Sequence, residues 1–123
     1  MLLPRAIMSS GATLTSFNGF WTLVYQDDDI LVLTSNYSNK DRYGNKVLWA
    51  SNTMNYQVGK VTMFAHGNMV ISDATGDLQW HTATANKGTG ATLSLQNDGN
   101  LVIYIDGGKS VWATKAERGS RSR

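Results

Sequence analysis

The chain contains no cysteine, which excludes a disulfide framework, a thiolate metal site and a cysteine nucleophile. That composition is compatible with a reducing compartment. No apolar run approaches the roughly 18 residues needed to span a bilayer, so membrane insertion is not expected. The start, MLLPRAIMSSGA, makes a poor signal peptide because Pro4 and Arg5 interrupt a very short apolar region. The protein is therefore expected in the cytoplasm, or outside the cell by a route without a signal peptide. Histidine is scarce too. His66 and His81 have no third ligand at a recognisable spacing, so no metal or other cofactor is expected. Charged residues make up 16% of the chain and the net charge is +2, much of it in the terminal KAERGSRSR. Without that tail the remainder is slightly acidic to neutral, a poor electrostatic footprint for nucleic acid. Residues 116–123 read as a basic, disordered tail after a single domain over 1–115. Asp27, Asp28 and Asp29 form the one carboxylate run, on what reads as a solvated turn. A glycosidase needs two carboxyls opposed across a cleft, so no catalytic residue is assigned and no enzyme is expected.

What is present points to an all-β domain. The 123 residues suffice for one core, and 41% are apolar. Short apolar runs alternate with turn signals, and 12 Gly, four Trp and five Tyr are spread along the chain. The runs repeat. LWASNT, LQWHTA and VWATKA place Trp49, Trp80 and Trp112 at near-equal intervals. Between them lie YQDDDILVLT, MFAHGNMVIS and LQNDGNLVIY, in which Val32, Val70 and Val102 coincide. Each unit reads as strand, turn, strand, further turn, and a short strand carrying Trp.

Polarity sets the hairpin register. In the third unit, a two-residue turn at Asp98 and Gly99 would pair Gln96 with Leu101 and mix polar with apolar groups on both faces. A three-residue loop of Asn97, Asp98 and Gly99, with Gly99 left-handed, separates them. Leu93, Leu95, Leu101 and Ile103 then share one face, and Ser94, Gln96, Asn100, Val102 and Tyr104 the other. The second unit gives an inner face of Val61, Met63, Met69 and Ile71 around a loop of Ala65, His66 and Gly67. The first gives Leu23, Tyr25, Leu31 and Leu33 around Asp27, Asp28 and Asp29, with Asp29 where glycine would be easier. Three such sheets, each too small alone, can share one core about a common axis, with Trp49, Trp80 and Trp112 as its natural centre. Trp21 lies outside that repeating trio.

The outer face of the third unit carries more than a turn requires. Gln96, Asp98, Asn100 and Tyr104 gather amide, carboxylate and phenol groups around Val102, a set suited to a polyhydroxylated ligand. QNDGNLVIY resembles the mannose-binding motif of the monocot-type, or bulb-type, lectins: Gln, Asp, Asn, Val and Tyr at alternate positions. Gln96, Asp98, Asn100, Val102 and Tyr104 fill all of them. The resemblance spans about residues 6–115 and includes SSGATLTS, VLWASNT and VWATK. It implies a β-prism of three four-stranded antiparallel sheets about a pseudo-threefold axis. It also implies that Asp98 and Asn100 hold the axial O2 of mannose, Gln96 holds O3 and Tyr104 holds O4. Val102 would face the C–H side of the ring.

The other units depart from the motif. Gln26, Asp28 and Val32 match in the first, but Ile30 and Thr34 replace the Asn and Tyr, leaving a degenerate, doubtful site. The second keeps only Asn68 and Val70; Phe64, His66 and Ser72 stand in the remaining places. Plant members of the family usually link the first two repeats by a disulfide, and Asp29 and Gly59 occupy those positions here. The resemblance thus implies a non-catalytic lectin for mannose-containing glycans or glycoproteins, with one intact site per chain. Avidity would come from a homo-oligomer, a dimer first, by exchange of the C-terminal strand around 110–114. The alternative is a degenerate lectin fold serving as a protein-interaction or toxin module, acting through the faces around Phe64 and His66.

Overall fold

The computed structural model describes residues 1–35, 47–53 and 57–114. The expected basic tail at 116–123, and the domain limit at 115, lie outside the described residues. Within them the chain forms eleven strands and no helix, so no helix is long and apolar enough to cross a membrane.

The three expected repeats are three strand triplets. The first contains β3 (Trp21–Tyr25), β4 (Leu31–Ser35) and β5 (Val47–Ala50). The second contains β6 (Lys60–Met63), β7 (Met69–Ser72) and β8 (Leu78–His81). The third contains β9 (Thr92–Leu95), β10 (Leu101–Tyr104) and β11 (Ser110–Ala113). All pairings are antiparallel. The N-terminal segment then supplies an edge to each triplet. β2 (Thr13–Thr15) extends the first as β2-β3-β4-β5, and β1 (Ile7–Ser9) extends the second as β1-β6-β7-β8. In the third, β9-β10-β11, the fourth place is held by a bridge from Leu2, whose N–H and C=O both bond Leu93 at 2.7 and 2.8 Å. The β-prism expectation is met, with that bridge in place of a full fourth strand.

The registers follow the polarity argument. Leu95 pairs with Leu101, Ser94 with Val102 and Leu93 with Ile103, and Gly99 has φ 91°. Met63 pairs with Met69 and Val61 with Ile71 around Gly67 at φ 112°. Tyr25 pairs with Leu31 and Leu23 with Leu33, and Asp29 adopts φ 71° without being glycine. The inner faces are fully enclosed: every one of these inward side chains is 0% exposed except Leu95, at 7%. Burial of each such side chain contributes about 1.5–3 kcal/mol, which fixes register because a one-residue slip would turn the whole set to water.

Two expectations are corrected. Trp49, Trp80 and Trp112 are not the enclosed centre; they are partly buried residues packed against it. Their strands are edge strands of the three sheets, and the indoles converge on one another at the common axis while staying partly exposed. They meet edge-on as a triad, with centroids 5.5–5.9 Å apart and planes at 65–75°. Trp21 is instead the enclosed tryptophan, at 3% exposure. The carboxylate run is also not wholly solvated. Asp27 and Asp28 are exposed, but Asp29 is 0% exposed because the left-handed turn folds its side chain under the hairpin.

Each Trp strand carries an irregularity at the same place. Pairing shifts after Leu33, Ile71 and Ile103, immediately beyond the residue facing each tryptophan. Such bulges bend a strand and re-aim the next side chain. The extra residue is on the Trp strand, Leu48, Gln79 or Val111, across from the step to Thr34, Ser72 or Tyr104, the last position of the motif.

Candidate functional site

The β9–β10 hairpin brings Gln96, Asp98, Asn100, Val102 and Tyr104 to its outer side. Its loop closes with Gln96 N–H donating to Asn100 O at 2.9 Å and Gly99 N–H to Gln96 O at 3.0 Å. Asp98 is exposed, and its Oδ1 accepts the Asn100 N–H at 2.9 Å. This local turn holds one carboxylate oxygen against the backbone and leaves the other toward solvent. Gln96 Nε2 donates a very short hydrogen bond to the Tyr104 hydroxyl. The phenol oxygen thereby acts as acceptor within the pair and keeps its own proton for another group. Asn100 and Val102 are 9% and 3% exposed, so they form the floor of the site rather than an open surface.

The edge strand supplies a residue that the motif does not contain. Thr114 Oγ1 accepts the Leu101 N–H at 3.1 Å and donates to Asn100 Oδ1 at 3.0 Å. With its lone pair engaged by the backbone, the hydroxyl proton fixes which end of the Asn100 amide faces β11.

The chain aligns with B-type lectin plumieribetin of Scorpaena plumieri at 30% identity over 115 residues, 93% of each sequence. It belongs to the bulb-type lectin family. No family model matches. Among solved structures, a Marasmius oreades lectin superposes with a TM-score of 0.80 at 33% identity, over 94% of this chain and 89% of that one. A Polygonatum cyrtonema lectin, solved in complex with monomannoside, superposes with a TM-score of 0.72 at 32% identity, over 95% and 96%.

Within this bulb-type lectin the first hairpin keeps the backbone of the motif and loses the Asn and Tyr of its outer face. Asp28 Oδ1 accepts the Ile30 N–H at 3.2 Å, as Asp98 does for Asn100, and Gln26 and Val32 occupy the expected places. Ile30, 8% exposed, puts an apolar side chain where Asn100 stands, and Thr34 Oγ1 turns back to Thr22 O at 3.4 Å. In the second hairpin Phe64 and His66 stack at 5.5 Å and 17° over the positions of Gln96 and Asp98. Asn68 is half-buried, and its Oδ1 accepts from Thr82 Oγ1, as that of Asn100 does from Thr114, and from Thr84 N–H, each at 3.2 Å. Its Nδ2 lies 3.3 Å from His81 Nδ1. His66 and His81 share no site: among the described residues no group of three or more histidines and carboxylates is placed to hold a metal ion.

Sequence reasoning missed the hydroxyls that underlie all three hairpins. Ser51 and Thr82 accept the N–H of Leu31 and Met69 at 3.0 Å, as Thr114 does for Leu101. Each stands two places after a tryptophan, a signal visible in WAS, WHT and WAT. Ser51 bonds Thr53 and Thr82 bonds Thr84, which reach on to the carbonyls of Asp29 and Gly67.

The position tied to the family disulfide has a polar replacement. The Tyr25 hydroxyl accepts the Gly59 N–H at 3.0 Å and donates a very short hydrogen bond to Asp29 Oδ1. Asp29 Oδ2 is buried without a partner. Burial raises the Asp29 pKa, opposed by the Tyr25 hydrogen bond, and the negative Asp73 and Asp28 add to the rise. Burial likewise pushes the Tyr25 phenol up. A Cβ at Gly59 would lie 2.2 Å from Ser72 O, so that position admits glycine alone.

Proposed function

We propose that the chain is a carbohydrate-binding protein that recognises α-D-mannose in mannose-rich glycans through one site per chain, at residues 96–104, without catalysis. The observation that carries this reading is the outer face of one hairpin, on which all five motif side chains converge and Thr114 orients the Asn100 amide. A sugar leaving water must have its hydrogen bonds replaced nearly one for one. Asp98 and Asn100 hold O2, whose axial position separates mannose from glucose. Gln96 holds O3, and Tyr104 donates the proton left over from its bond with Gln96 to O4. Val102 floors the site beneath the C–H face of the ring. The Polygonatum cyrtonema lectin with its monomannoside supports the same ligand class.

Ile30 takes away the hydrogen bond to O2 that Asn100 makes, leaving Asp28 alone in the first hairpin, a cost of about 1–3 kcal/mol. Against a Kd of about 1 mM, or about −4 kcal/mol, that removes useful affinity. Phe64 and His66 close the second. Multivalency then comes from self-association, a homodimer first. β11 pairs with β10 of its own chain here, so exchange of the strand would substitute a partner's β11 in the same ladder. The carboxylate run supplies no opposed pair for hydrolysis: Asp27 and Asp28 share one exposed turn and Asp29 is enclosed. The stacked pair of Phe64, 41% exposed, and His66 favours one second reading, a protein-binding face on the second repeat.

Titration of α-methyl mannoside into 15N-labelled protein, with α-methyl glucoside as control, tests the site. Saturable, mannose-only shifts clustered at residues 96–104 and lost in Asn100→Ala are the expected result. Unchanged spectra with both sugars would overturn it and leave the protein-binding reading.

A further inference from the structure

The loop of residues 16–20, between β2 and β3, is fastened to the tip of the site hairpin. Asn18 N–H donates to Asn97 Oδ1 at 2.9 Å, and Asn18 Nδ2 donates to Asn97 O at 3.0 Å. The Trp21 indole N–H donates to the same carbonyl at 2.8 Å. Asn97 lies between Gln96 and Asp98, two of the proposed mannose ligands. The loop is also braced internally. Ser16 Oγ accepts the Trp21 N–H at 3.2 Å and donates to Asn18 Oδ1 at 2.7 Å, which accepts the Phe20 N–H at 3.1 Å as well. On this pinned loop Phe17 is 99% exposed and Phe20 44% exposed.

A single exposed apolar side chain needs no explanation. Two phenylalanines on a five-residue loop, hydrogen-bonded on both flanks of Phe17 and joined to the sugar site, have one. Folding gains nothing from a ring left wholly in water, yet the bonds around it hold its backbone still. Phe17 adjoins Asn18 and Asp98 adjoins Asn97, so two steps of about 3.8 Å plus one hydrogen-bonded contact separate the loop from the proposed ligands. That is within reach of the saccharide ring next to a bound mannose.

We infer that Phe17, with Phe20 beside it, forms a second subsite that stacks the adjoining pyranose of an oligomannoside whose first mannose occupies residues 96–104. This rests on the mannose-binding reading above and narrows its ligand from a monosaccharide to a linked oligosaccharide. A pyranose presents a C–H face with slight positive polarisation, and the face of a phenyl ring is its apolar, electron-rich complement. Because the loop is ordered beforehand, little freedom is lost when the second ring arrives.

The test measures Kd for α-methyl mannoside, for the α1,2-, α1,3- and α1,6-linked mannobioses and for mannotriose, using the full chain and its Phe17→Ala and Phe17→Trp variants. At least one oligosaccharide is expected to bind the unaltered chain about tenfold more tightly than the monosaccharide. Phe17→Ala should reduce that advantage to about twofold or less without changing the monosaccharide Kd, and Phe17→Trp should keep it. In the unaltered protein the Phe17 ring resonances should shift with the oligosaccharide and stay still with α-methyl mannoside. Equal affinity for every saccharide, or an advantage that survives Phe17→Ala, overturns the subsite and leaves the mannose site standing. Loss of α-methyl mannoside binding in Phe17→Ala also overturns it, by making Phe17 part of the first site. Failure of every saccharide to bind the unaltered chain removes the mannose reading and the subsite together.

Discussion

The second and third hairpins are built alike and decorated differently. Both pair their strands around a three-residue loop with a left-handed glycine, Gly67 in one and Gly99 in the other. Both bulge one residue beyond the tryptophan's partner, and both rest on a threonine hydroxyl two places after that tryptophan. Their outer faces share only asparagine and valine. Both asparagines accept a hydrogen bond from the threonine behind them, but Asn68 has Phe64, His66 and Ser72 at the other motif positions where Asn100 has Gln96, Asp98 and Tyr104. Inner and outer faces of one strand are therefore separate assignments. The inner set holds the fold in every repeat, and the outer set is free to change in each.

If that separation is right, truncating an inner residue should hurt both repeats equally. Met69→Ala and Leu101→Ala remove side chains that are each 0% exposed on equivalent strands. Each should cost about 2–5 kcal/mol in urea unfolding, with similar values for the two. A large inequality would show that the repeats do not carry the core evenly.

The outer faces should respond unequally. Asn100→Ala should abolish measurable mannose binding in an NMR or calorimetric titration, a loss of about 1–3 kcal/mol on an already weak site. Asn68→Ala should leave binding unchanged. Equal losses from the two would place a second working site on the second repeat.

The first hairpin adds a pH dependence of its own, since Asp29 replaces the glycine of the other two. Its folded pKa is raised above the unfolded value. The stability it contributes is thus complete below the unfolded pKa and is lost as pH rises through the folded one. Urea midpoints should fall as pH rises from about 4, the unfolded carboxylate range. Asp29→Asn should flatten that fall and stabilise the protein at neutral pH. Asparagine accepts positive φ and still offers Tyr25 an acceptor. A profile unchanged by the substitution would assign the dependence elsewhere.

The smallest effect expected is that of Thr114→Val, which removes the hydroxyl behind Asn100 while retaining its shape. Mannose affinity should weaken about threefold to tenfold, in line with one neutral hydrogen bond. The Leu101 N–H also loses its acceptor, so the unfolding free energy should drop by about 1 kcal/mol. Unaltered affinity alongside that drop would show that Thr114 supports the strand and not the amide.

Much of this was legible in the residue order. Alternation of Leu93, Leu95, Leu101 and Ile103 with Ser94, Gln96, Asn100 and Tyr104 specified loop length and register, because polar and apolar groups cannot share a face next to a core. The same reasoning put the five motif residues on one side of one hairpin. It brought the three repeating tryptophans together but could not show how deeply they are buried. An indole reads as core by its area, but Trp49, Trp80 and Trp112 lie on edge strands, and edge position is a property of the sheet. Nor could it show Asp29 going inside, since the partner that receives it, the Tyr25 hydroxyl, is reached only when the turn adopts its left-handed step.

By itself the sequence determined three hairpins, their inward and outward faces, and a single complete copy of the five-residue motif. These follow from the two-residue period of a strand and from local turn chemistry, which act between near neighbours. Only the tertiary structure decided that one N-terminal segment edges all three sheets through Leu2, β1 and β2. It also decided that Thr114 steers Asn100 and that Asn18, 79 residues away in the chain, grips Asn97. Those contacts join groups whose separation is set by packing three sheets around one core, and no local periodicity encodes that distance.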